Sequence, residues 1–91
     1  MNKPLSQNSV QKIVENALRS WWISAKTTRE KSIFIAEALC VTCRYSEEVS
    51  TVRVVDQITK VLSAKNNAGK NTEQLSAEIT KILFRERLLR T

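Results

Sequence analysis

The chain has 91 residues, 42% of them hydrophobic and 26% charged, with a formal net charge of +6. That length supports one domain with one modest core. Histidine is absent and glycine and proline occur once each, which removes the commonest general base, a glycine-rich phosphate loop and a turn-rich β fold.

Residues 1–8 are mostly polar and read as a flexible tail, leaving 9–91 as a single helical domain. No apolar run approaches the roughly 18 residues that a membrane-spanning helix needs, so the expectation is a cytoplasmic protein without membrane contact.

The first helix is expected from residue 8 or 9 to 25. At helical spacing Val10, Ile13, Val14, Ala17, Leu18 and Trp21 share one face, and Lys12, Glu15, Asn16 and Arg19 share the other. Trp22 sits at the edge of the apolar stripe and Ile23 lies outside it, which makes this pair a candidate interface anchor.

The second helix opens at Thr27-Thr28-Arg29-Glu30, the spacing of a capping box. From Ile33 to Cys43 its apolar residues point almost all the way round, a pattern that belongs in the middle of a bundle. The expected fold is therefore all-α, a small four-helix bundle with this second helix at its centre. Cys40 and Cys43 form a lone CxxC, too few ligands for zinc and too close in sequence to staple a domain. They read as small buried hydrophobes, and no metal or cofactor is expected. Ile35 to Thr42 echoes the opening of a helix-turn-helix, but Cys40 stands where that turn takes glycine and the next helix starts late and acidic.

Ser46 is the expected N-cap of the third helix, with Glu47 and Glu48 beside the positive end of its dipole. Val52, Val54, Val55, Ile58, Val61 and Leu62 make its apolar face, and Arg53, Asp56, Gln57 and Lys60 its wet one. The β-branched run from Val49 to Val55 could form a strand, but the helical spacing persists to Leu62 and favours a helix. Residues 66–70 are the clearest loop, where Gly69 can take positive φ.

The fourth helix should run from 71 or 72 to about 89, with a main stripe of Leu75, Ile79, Ile82, Leu83 and Leu89. A second stripe of Ala77, Phe84 and Leu88 falls on nearly the opposite side and needs a partner. Together with Trp22 and Ile23 these residues form the expected protein interface, for a second copy or a larger protein.

Residues 1–45 carry seven basic and three acidic side chains and 46–91 carry eight and six, balances of +4 and +2. The densest basic stretch is Lys81, Arg85, Arg87 and Arg90, the expected contact for nucleic acid. No catalytic constellation emerges. The composition points to a non-enzymatic binding module, a nucleic-acid-associated regulator acting as a dimer, with a protein adaptor or small subunit as the alternative.

Overall fold

The structure is a computed structural model that describes residues 6–20, 26–42, 45 and 49–89. Four α-helices follow in order: α1 (Gln7–Leu18), α2 (Thr28–Thr42), α3 (Thr51–Ser63) and α4 (Thr72–Arg85). No strand occurs among the described residues; one isolated antiparallel bridge joins Tyr45 to Leu89.

Each helix starts on a side chain that can satisfy free amide groups. Ser6 accepts from Ser9 N–H at 3.1 Å, which starts α1 inside the stretch expected to be tail. Thr27 and Glu30 form the expected reciprocal box at 3.1 and 3.2 Å, and these bonds hold the Glu30 carboxyl below its ordinary range. Ser50 caps α3 by accepting from Arg53 N–H at 3.2 Å, so that helix begins four residues later than the expected cap at Ser46 implies. Asn71 and Gln74 build a second reciprocal box at the start of α4.

The helices close a ring: α1 packs on α4 and α2, and α3 packs on α2 and α4. The core is Val10, Val14 and Ala17 of α1, Ile35, Ala36 and Leu39 of α2, Val54, Val55, Ile58 and Val61 of α3, and Ile79 and Leu83 of α4. Leu88 and Leu89, beyond the last helix, complete it.

A ring has no central member, and this corrects the expectation for α2. Only Ser32, Ile35, Ala36 and Leu39 of α2 are buried; Ile33 keeps 39% and Val41 86% of its surface in water. Cys40 is likewise exposed. On α3, Val52 leaves the expected buried face and is 60% exposed.

Small polar residues stand where helices meet. Ser32 is fully buried, donates to Thr28 C=O at 2.9 Å and lies 2.9 Å from the Thr59 hydroxyl of α3. Ser76 is fully buried on α4 and donates to Thr72 C=O at 2.7 Å. A short side chain whose hydroxyl bonds its own helix lets backbones approach without stranding a polar group.

The α3–α4 connection contains a 3-10 turn, Lys65–Asn67. Buried Asn67 donates through Nδ2 to Val61 C=O at 2.9 Å and so satisfies a carbonyl near the end of α3. Gly69 does not take positive φ. Among the described residues the left-handed position is Arg87, with φ of 54°.

Arg87 explains how the chain leaves α4. Its N–H donates to Phe84 C=O at 3.2 Å, and Leu88 N–H donates to Leu83 C=O at 3.0 Å. These two bonds are the pair of a Schellman motif, with Arg87 in the place that glycine usually takes. The helix stops at Arg85, four residues short of the expected end, and the chain turns Leu88 and Leu89 inward.

Candidate functional site

Of the expected interface, the described residues Ala77, Phe84 and Leu88 do not form one exposed face. Leu88 has no exposed surface, because the turn at Arg87 carries it off the helical wheel and into the core. Phe84 is half-buried and packs against that core, and Ala77 is half-buried. Trp22 and Ile23 lie outside the described residues.

The expected basic patch is diluted. Lys81 and Arg85 are exposed one turn apart on α4, but Glu78 Oε1 lies 3.7 Å from Lys81 Nζ and 3.6 Å from Lys70 Nζ. Glu86 Oε2 lies 3.7 Å from Arg85 Nε. Arg87 is exposed beyond the end of the helix, off the row of Lys81 and Arg85, and Arg90 lies outside the described residues. Among the described residues the four cations Lys70, Lys81, Arg85 and Arg87 and two carboxylates leave a local balance of +2.

A second basic surface carries fewer carboxylates among the described residues. Where α2 meets α3, a groove of about 450 Å³ is lined by Arg29, Ser50, Val52, Arg53, Asp56, Gln57, Thr59 and Lys60. Among the described residues three cations and one carboxylate give it +2. Arg53 and Lys60 are seven residues apart on exposed turns of α3, hence on one side of it. Arg29 comes from the first turn of α2 and its Nη1 lies 2.8 Å from Asp56 Oδ1. Both side chains of that pair are about half exposed, at 53% and 49%.

The spacing of Arg53 and Lys60 on the wet face of α3 was visible in the chain. Their convergence with Arg29 needed the packing of α2 on α3, which no local pattern encodes.

A third surface is apolar. A shallow depression of about 250 Å³ on the outer side of α2 has Ile33 and Phe34 at its floor, with Lys26, Glu30 and Glu37 around it.

Tyr45 is a structural group. Its hydroxyl donates to Ala36 C=O in α2, and its backbone bridges to Leu89. Burial, with smaller contributions from the nearby Cys40 and Glu37, pushes the phenol up to about 12. It stays neutral and holds the C-terminal segment to α2.

Among the described residues no three His, Cys, Asp or Glu side chains cluster to hold a metal ion. None of the described helices is long and apolar enough to cross a membrane. The chain matches no family model, no curated protein and no solved structure at a significant level.

Proposed function

We propose that this protein is a small non-enzymatic binding module that associates with nucleic acid through the phosphate backbone. The observation that carries the reading is the α2–α3 groove, which Arg29, Arg53 and Lys60 line with one carboxylate among the described residues, on a chain of net charge +6. Cations spaced along a groove suit a row of phosphates, and contacts of this kind bind without reading sequence. The contact belongs to this groove first and to Lys81, Arg85, Arg87 and Arg90 second, because Glu78 and Glu86 interrupt the latter.

The test is binding to a short duplex DNA and to a single-stranded RNA across a range of salt. Arg53→Ala with Lys60→Ala should reduce the slope of log K against log salt by about 1.8 on duplex DNA, two phosphate contacts. Lys81→Ala with Arg85→Ala should change it less. No binding to either probe at low salt overturns the proposal.

A second reading is favoured by the apolar outer side of α2. Ile33 and Val41 are the exposed aliphatics of a helix whose other side fills the core, and a protein partner or a second copy would bury them. Light scattering of the wild type and of Ile33→Lys separates self-association from a monomer.

A further inference from the structure

We infer that Asp56 is a built-in competitor for the phosphate group that Arg29 would otherwise bind. The inference rests on the groove being the nucleic-acid contact proposed above. Asp56 is the one carboxylate among the described residues lining the groove. Its Oδ1 takes Arg29 Nη1 at 2.8 Å. On α3 it stands three residues after Arg53 and four before Lys60, the two spacings that make neighbours on a helix surface. The carboxylate therefore lies between Arg53 and Lys60 along α3 and takes Arg29 from α2, the place where a phosphate lying in the groove would meet all three cations.

The pair is exchangeable. Both side chains are about half exposed, and an ion pair in such surroundings adds little to the fold and is screened by salt. An incoming phosphodiester offers Arg29 two non-bridging oxygens in place of the one Asp56 oxygen it holds, with further phosphates beside it. Asp56 thus keeps Arg29 ordered across the groove in the unbound protein and withholds one cation from weakly held polyanions. Arg53 and Lys60 make the contact on duplex DNA, while Asp56 holds Arg29 back from it.

The experiment compares four forms on one short duplex DNA: wild type, Asp56→Asn, Glu73→Gln and Asp56→Asn with Arg29→Ala. Asp56→Asn keeps the shape of the side chain and frees Arg29. Glu73→Gln removes the same charge from an exposed site at the start of α4. The expected result is a salt slope steeper by about 0.9 for Asp56→Asn alone, one added phosphate contact. Adding Arg29→Ala should return the slope to that of the wild type. Equal slopes for Asp56→Asn and Glu73→Gln would overturn the inference, as would an Asp56→Asn slope that survives Arg29→Ala. Either result leaves the groove proposal standing if the Arg53 and Lys60 variants still flatten the slope. Loss of that effect would instead remove the proposal itself. Helical circular dichroism of each form confirms that the comparison is between folded proteins.

Discussion

The amide of Leu88 reaches back to the carbonyl of Leu83 at 3.0 Å, and neither side chain has exposed surface. This contact across the end of α4 decides where the last residues of the chain go. Its condition is the left-handed backbone of Arg87, which costs an L-residue with a Cβ roughly 1 kcal/mol or more. Arg87→Gly should therefore stabilise the fold by about 0.5 kcal/mol after allowing for the greater freedom of glycine in the unfolded chain. Arg87→Val should destabilise it by about 1 kcal/mol or more. Leu88→Ala should cost about 2–5 kcal/mol, as for any fully buried leucine. Urea midpoints measure all three, and a loss under about 0.5 kcal/mol for Leu88→Ala would place that side chain back on an outer face.

Thr80 is 1% exposed on the core side of α4 and its hydroxyl has no hydrogen-bond partner among the described residues. A buried hydroxyl left unpaired carries a desolvation penalty of about 1–3 kcal/mol. Thr80→Val keeps the branched shape and removes the oxygen, so the variant should be more stable by about 1 kcal/mol. A destabilised variant in thermal unfolding would show that the hydroxyl bonds within the folded protein.

The ring arrangement divides α2 into two sides with different tolerance. Leu39→Ala, on the buried side, should cost about 2–5 kcal/mol. Val41→Lys, at a site 86% exposed, should change stability by no more than about 0.5 kcal/mol. A large loss for Val41→Lys would mean that a neighbour covers this side, and the same variant would then shift the oligomeric state in sedimentation.

Tyr45 gives the fold a defined response to alkali. Its phenol titrates near 10.0 in the unfolded chain and is raised to about 12 by burial in the folded one. Below pH 10 both states hold the proton, and the stabilising effect of the neutral phenol is fully present. Between pH 10 and about 12 only the unfolded chain releases it, so stability falls as pH rises. Partial exposure of the ring moderates the size of this effect through solvent screening. The chain contains one tyrosine, so its near-ultraviolet tyrosinate absorbance reports this group alone. Tyr45→Phe should be less stable at neutral pH by about 1 kcal/mol for the lost bond to Ala36, and that deficit should shrink as pH rises above 10. A phenol titrating at its ordinary value would remove the linkage.

Much of the local structure was legible in the chain because its causes are local. The box at Thr27 and Glu30 is set by residues three apart, and the stripe Val10, Val14, Ala17 by one helical period. Ser46 misled because Ser50 offers the same hydroxyl four residues on, and a cap is chosen by where the helix can pack as much as by the side chain that ends it. The periodicity of Val54, Val55, Ile58 and Val61 did identify α3 as a helix despite its β-branched start. Gly69 and Arg87 reversed their expected roles. The packing of Leu88 beneath α4 draws Arg87 into the left-handed region, while nothing near Gly69 requires it.

By itself, the sequence determined four helical segments, the capping box at Thr27 and Glu30, and a basic chain without the residues for a histidine-based or glycine-loop chemistry. Periodicity and capping act over one to two turns, so these features needed no distant neighbour. The tertiary structure alone decided that α2 joins a ring with only one side covered. It also folded Leu88 and Leu89 into the core, and set Arg29 across from Arg53 and Lys60 around Asp56. Each of these depends on how helices far apart in sequence share one limited core, where the gain from burying Leu88 outweighs the strain at Arg87 and the outer side of α2 is left to water.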